Sequence, residues 1–125
     1  MSDGDAFTDA NADTFQHLSY GRKLAVAIPS YNEDRFIGSV VLKCRRYTDL
    51  IVVVDDGSRD DTAAVAARAG AIVIRHERNR GKAAGVATAF QWAEREGLDA
   101  LVLIDGDGQH DPRDIPTVVA PVLRG

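Results

Sequence analysis

Four short apolar runs, Leu24 to Ile28, Leu50 to Val54, Ala71 to Ile74 and Ala100 to Ile104, constrain the fold of this chain more than any other feature. Each is nearly continuous in apolar residues, as a parallel strand covered on both faces must be. Segments with helical spacing lie between them. Ile37, Val40, Val41 and Cys44 fall at i, i+3, i+4 and i+7, with Asn32 as the expected N-cap. A second helix is expected from about 60 to 69, with Ser58 and Asp61 resembling a capping box, an alanine-rich face that lies close to the sheet, and Gly70 as its stop. A third, from about 82 to 96, places Ala83, Val86, Ala87, Phe90 and Ala93 on one face, with Trp92 at the margin, and ends at Gly97. A last segment from about Asp114 carries Ile115, Val118, Val119 and Val122 at helical spacing, although Pro116 and Pro121 oppose a straight helix. Strands alternating with helices predict an α/β fold, a doubly wound and mostly parallel sheet with right-handed crossovers. Ligands bind such sheets beyond the carboxyl ends of the strands.

A chain of 125 residues suits a single core. Residues 1–21 are polar and aperiodic, carry Asp3, Asp5, Asp9 and Asp13 without a lysine or arginine, and read as a flexible acidic leader to a domain over 22–125. The whole net charge of -4 sits in that leader. There is no basic field to hold nucleic acid, which is not an expected partner. The single cysteine, Cys44, excludes an intramolecular disulfide or a cysteine metal cage and reads as a small buried apolar residue. No apolar run approaches the roughly 18 to 20 residues of a membrane span, and the N-terminus lacks a signal-peptide pattern. The expectation is a soluble, cytoplasmic chain.

The strand ends carry the chemistry. The first runs into Pro29-Ser30-Tyr31-Asn32-Glu33, where Tyr31 offers a ring face for a planar base; the same residues would also make an ordinary strand-to-helix turn. The second ends in Asp55-Asp56-Gly57-Ser58. Adjacent carboxylates at a strand mouth repel unless compensated, so one is expected to accept turn amides and the other to face a ligand. After the third comes Asn79-Arg80-Gly81-Lys82, a glycine and two cations before a helix, which reads as an anion site or as a solvated cationic loop. It is not a Walker A loop, because His76 and Ala83 stand where that motif needs Gly and Ser or Thr. The fourth ends in Asp105-Gly106-Asp107-Gly108-Gln109-His110. In extended backbone Asp105 and Asp107 project to one side, and their hard oxygens suit Mg2+ or Mn2+ bridging to a diphosphate. An EF-hand loop fails here at His110 and Pro116, and a two-aspartate phosphatase motif fails at Gln109.

Together, Pro29-Ser30-Tyr31-Asn32-Glu33, Val54-Asp55-Asp56-Gly57-Ser58, Asn79-Arg80-Gly81-Lys82 and Asp105-Gly106-Asp107-Gly108-Gln109-His110 resemble family 2 glycosyltransferases of the GT-A fold. The likeness is strongest to polyprenyl-phosphate sugar transferases such as dolichyl-phosphate mannose synthase. It implies a Rossmann-like half of a nucleotide-diphospho-sugar transferase fold. By that resemblance Pro29, Tyr31 and Glu33 border the base and ribose, Val54 with Asp55 or Asp56 contacts the base, and Lys82 lies near that pocket. Asp105 lies by the ribose and metal, Gly106 gives a backbone contact, Asp107 is the principal metal ligand, and Gln109 lines the sugar-phosphate region. The family often has Ala at the position of Gly106 and Leu or Phe at that of Gly108, so this loop is expected to be looser.

The resemblance implies a metal-assisted, inverting transfer from a GDP- or UDP-sugar to an acceptor, a polyprenyl phosphate at a membrane surface being one candidate. The acceptor site and general base come from the second half of such a domain, so this chain is expected to supply donor binding only, with no assignable catalytic base. A homo-oligomer or a partner chain could complete it. The alternative is a catalytically inactive nucleotide-sugar-binding or assembly module that needs a partner chain.

Overall fold

The structure is a computed structural model that describes residues 23–104 and 118–122. Strands β1 (Leu24–Ser30), β2 (Ile51–Asp55), β3 (Ile72–Arg75), β4 (Ala100–Leu103) and β5 (Val118–Pro121) form one sheet in the order β3-β2-β1-β4-β5. The first four strands run parallel and β5 lies antiparallel against β4. The apolar runs thus form the four expected strands, with ends shifted by two residues at most. Helices α1 (Ile37–Cys44), α2 (Thr62–Ala69) and α3 (Lys82–Arg95) connect them.

Alternation of side chains along each strand divides the interior into two cores. Leu24, Val26 and Ile28 of β1 with Ile51 and Val53 of β2 pack under α1 and α2, which bring Ile37, Val40, Val41, Cys44, Ala66 and Ala69. Ala25 and Ala27 with Val52, Val54 and Leu101 pack under α3, which brings Ala89, Trp92 and Ala93. The α1 face is the one its spacing predicts. Truncating a fully buried residue such as Leu101 in so dense a layer costs about 2–5 kcal/mol.

Three expectations need correction. The third helix is rotated from the expected face: Ala93 is buried and Phe90 packs on the core as expected, but Gly85, Ala89 and Trp92 are buried with them while Ala83 and Ala87 are exposed. Small residues dominate this helix, so the bulk of Trp92 decides which side is buried. Residues 118–121 form an edge strand and not part of a helix. The spacing of 115, 118, 119 and 122 fits a helix, but Pro121 within the segment has no amide donor, a loss that a sheet edge tolerates. The proposed caps also differ. Neither Phe36 nor Asp61, the residues preceding α1 and α2, caps with its side chain, and Asn32 and Ser58 bond across to other loops. Gly70 ends α2 in the left-handed conformation as expected, at φ 106°.

Candidate functional site

The strand order places β1 between β2 on one side and β4 on the other. The crossovers to β2 and β3 lie on one face and the crossover to β4 on the opposite face. The carboxyl ends of β1 and β4 therefore lie at the point where the crossovers change faces, which is where ligands bind open sheets of this kind. Two of the four sequence motifs begin here among the described residues, at the ends of β1 and β2, and a third follows β4 in the sequence.

At the end of β1, Pro29 is half-buried. A methyl group added at Gly85 of α3 would stand 3.4 Å from its Cβ, so the helix runs close over the strand exit. Ser30 is buried, Tyr31 is 43% exposed with its ring at the surface, and Glu33 is half-buried. The loop after β1 is fastened to the loop after β2. The Ser30 carbonyl accepts from Asp56 N–H (2.8 Å) and Ser58 Oγ accepts from Asn32 N–H (2.8 Å). Asn32 Oδ1 accepts from Arg59 N–H (2.9 Å), and Thr62 Oγ1 accepts from Glu33 N–H (2.8 Å). Asp60 accepts from the amides of Thr62 and Asp34 and from the Thr62 hydroxyl. Asn32 holds a left-handed φ of 52°, a conformation asparagine adopts more readily than most residues. Burial raises the Asp60 carboxyl, but these donors outweigh it and hold the group below its ordinary value.

The adjacent carboxylates of β2 are compensated from β3, one on each face of the sheet. Asp55, fully buried, accepts from Ser58 N–H through Oδ1 (3.0 Å), and its Oδ2 lies 3.5 Å from Arg75 Nε. That oxygen has no hydrogen-bonded partner, so the contact is an ion pair without a hydrogen bond. Arg75 also donates through Nη2 to the Ser58 carbonyl (2.9 Å).

Asp56, one residue on, meets His76: Oδ1 lies 2.8 Å from His76 Nδ1 and accepts from Arg80 N–H (2.8 Å), while Oδ2 accepts from Gly81 N–H (2.9 Å). Burial pushes the Asp56 carboxyl upward, and the hydrogen bonds from His76, Arg80 and Gly81, with the His76 charge, more than reverse this to hold it below its ordinary value. The amides before α3, expected to receive an anion, do hold one, and it is the carboxylate of Asp56. Both carboxylates accept turn amides, Asp55 from Ser58 and Asp56 from Arg80 and Gly81.

Gly57 is required between the two loops. At φ 75°, an added Cβ would stand 2.3 Å from the Arg78 carbonyl carbon. Val54 is wholly buried in the α3 core, which makes it the floor of the strand end, and Lys82 is exposed at the start of α3. On the β3 flank an open groove of about 570 Å³ is lined by Arg75, His76, Glu77, Arg78 and Arg80. His76, Thr88, Asp60 and Thr62 were not singled out as site residues by sequence. Their roles arise from pairings across neighbouring strands and loops, which no spacing in the chain displays.

Asp105, Gly106, Asp107 and Gln109 lie outside the described residues. Among the described residues no group of three or more His, Cys, Asp or Glu could hold a metal ion. The chain reaches Asp105 directly from Ile104, whose N–H bonds the Ala27 carbonyl of β1 (3.1 Å). Asp105 and Asp107, two positions apart in sequence, carry hard oxygen donors of the kind Mg2+ and Mn2+ prefer.

The sequence model of the family described as glycosyl transferase family 2 matches residues 25–125. The UDP-N-acetylglucosamine–dolichyl-phosphate N-acetylglucosaminyltransferase of Methanococcus voltae is 33% identical, the match covering 77% of this chain and 45% of that protein. The polyprenol monophosphomannose synthase of Mycolicibacterium smegmatis is 32% identical, over 83% of this chain and 42% of that one. Among solved structures, glucosyl-3-phosphoglycerate synthase from Mycobacterium tuberculosis in complex with Mn2+, uridine diphosphate and glucosyl-3-phosphoglycerate superposes with a TM-score of 0.65 at 26% identity, over 76% of this chain and 37% of that one. The chain spans less than half the length of these relatives.

Proposed function

The chain belongs to glycosyltransferase family 2, and from that premise we propose that residues 22–125 bind the nucleoside-diphosphate sugar of a transfer completed by residues outside this segment. The observation that carries this is the fastening of the β1 and β2 loops at the carboxyl ends of their strands, through the Asp56 N–H bond to the Ser30 carbonyl and the Asn32 N–H bond to Ser58. It gathers Pro29, Tyr31 and Glu33 with Asp56 at one mouth, next to the strand that leads to Asp105.

In this reading the Tyr31 ring stacks on the base and Pro29 and Glu33 border the ribose. An ionised Asp56 accepts an N–H of the base, Asp55 holds the turn beneath it, and Lys82 flanks the pocket. Gly106 admits the diphosphate close to the backbone, Gln109 lines the sugar-phosphate region, and Asp105 and Asp107 would hold Mg2+ or Mn2+. Such an ion, when bound, offsets the negative charge of a departing diphosphate. An acceptor oxygen displacing that diphosphate in one step inverts the anomeric carbon. A polyprenyl phosphate acceptor brings its own oxyanion, which reduces the need for a protein base, and would place the protein at a membrane surface. The related enzyme names support this acceptor class, and the Mn2+ and uridine diphosphate of the solved relative support the donor and metal. Among the described residues no helix is long and apolar enough to cross a membrane.

The test is calorimetric binding of UDP-N-acetylglucosamine and GDP-mannose with and without Mn2+. Binding that needs the metal and disappears in Asp107→Ala is expected. Metal-independent binding, or binding unchanged in that variant, would remove the assignment.

A further inference from the structure

His76 is buried between the end of β2 and α3, and both of its ring nitrogens are engaged. Nδ1 lies 2.8 Å from Asp56 Oδ1 and Nε2 lies 2.8 Å from Thr88 Oγ1. The carboxylate does not need the ring for its own satisfaction, because the Arg80 and Gly81 amides already donate one hydrogen bond to each oxygen. What His76 adds is asymmetry. A carboxylate oxygen accepts two hydrogen bonds readily. With His76 and Arg80 both on Oδ1, that oxygen is filled, and among the described residues Oδ2 receives only the Gly81 donor. The Asp56 carboxyl is held below its ordinary value and is an acceptor only at neutral pH, so the ring presents Nδ1–H to it. Thr88 suits the far side in either proton state of the ring, since its hydroxyl can donate to Nε2 or accept from it.

We propose that His76 is a positioning residue for nucleobase recognition, filling Asp56 Oδ1 and braced by Thr88, so that Oδ2 is the one oxygen turned to an N–H donor of the base. This rests on the reading that Asp56 meets the base. An acceptor-only oxygen at that point selects a base with a ring N–H, as in uracil or guanine, over one that presents a ring nitrogen lone pair there, as in cytosine or adenine.

The experiment is Mn2+-supported calorimetry in the intact protein with UDP, GDP, CDP and ribose 5-diphosphate, which lacks the base. His76→Leu is expected to weaken the better-bound of UDP and GDP about tenfold, to narrow its preference over CDP, and to leave ribose 5-diphosphate unchanged. His76→Asn, whose amide N–H can replace Nδ1–H, should restore most of the loss. Thr88→Val, which removes the brace and leaves Asp56 untouched, should weaken the same nucleotide about threefold, and it serves if His76→Leu does not fold. Equal losses for nucleotide and ribose 5-diphosphate would reduce His76 to a structural role, and no loss in either variant would overturn the proposal. Asp56→Ala separates the two readings. If it abolishes the base preference while the His76 and Thr88 variants keep it, only the positioning role falls; if it leaves nucleotide affinity intact, the base reading falls and takes the positioning role with it.

Discussion

Arg75 stands opposite Asp55 in the parallel register of β2 and β3, with its Nε 3.5 Å from an Asp55 oxygen that no hydrogen bond satisfies. The next residues along, His76 and Asp56, repeat the pairing on the other face of the sheet. Two carboxylates that would repel at one point are thereby turned apart, each toward its own partner from β3.

Arg75→Ala should destabilise the fold by about 1–2 kcal/mol, since it leaves the buried Asp55 oxygen without a counter-charge and the Ser58 carbonyl without its donor. The arginine is 58% exposed, so solvent screening keeps the loss well below that of a fully buried pair. Urea unfolding measures it, and Arg75→Lys should recover part of it.

Gly57→Ala and Gly97→Ala both place a side chain at positive φ, 75° and 69°. Only at Gly57 does the new Cβ also meet backbone, whereas at Gly97 the space is open. Gly97→Ala should cost about 1 kcal/mol. Gly57→Ala should cost clearly more and should also displace the 78–79 loop, visible as amide chemical-shift changes in Arg80 and Gly81.

Thr62→Val keeps shape but removes the hydroxyl that accepts from Glu33 N–H and donates to Asp60. An expected loss of about 1–3 kcal/mol should come with faster hydrogen exchange at the Glu33 amide. Unchanged exchange there would show that the bond between the loops does not hold in solution.

The acid limb of stability should carry Asp56 and Asp60. Both carboxyls lie below the ordinary value of 3.8 in the folded protein, so their contribution is complete above that value. As pH falls below it the unfolded chain takes up protons first, and stability is lost through the folded values. Asp56→Asn should flatten this part of a pH series of unfolding free energies.

Cys44 is buried among Ile37, Val40 and Val41, and burial pushes its thiol up to about 12. Native protein at pH 8 should resist iodoacetamide, with alkylation following global unfolding, a comparison that mass spectrometry makes directly.

The strands and the α1 face were legible because a buried strand shows as a continuous apolar run and a half-buried helix as a 3.6-residue period. Helix α3 was legible in extent but not in orientation, since alanines on several sides leave Trp92 to choose the face. The segment around β5 was misread because Ile115, Val118, Val119 and Val122 satisfy a helical spacing, although Pro121 within it has no amide donor. The Asn79 to Lys82 loop reads in sequence as an anion site or a solvated cationic loop; that its Arg80 and Gly81 amides meet Asp56 depends on β2 and β3 lying side by side. Local chemistry is written along the chain; who stands opposite whom is settled only by sheet register.

The reciprocal bonds joining Asn32 and Glu33 to Ser58, Arg59 and Thr62 make two loops, some 27 residues apart in sequence, one mechanical part. Neither loop can swing open alone, so any gating at this mouth has to come from a third segment. Each of these bonds runs from a backbone N–H of one loop to a side-chain oxygen of the other, so losing the oxygen of Asn32, Ser58 or Thr62 removes a bond that no side-chain change on the facing loop restores.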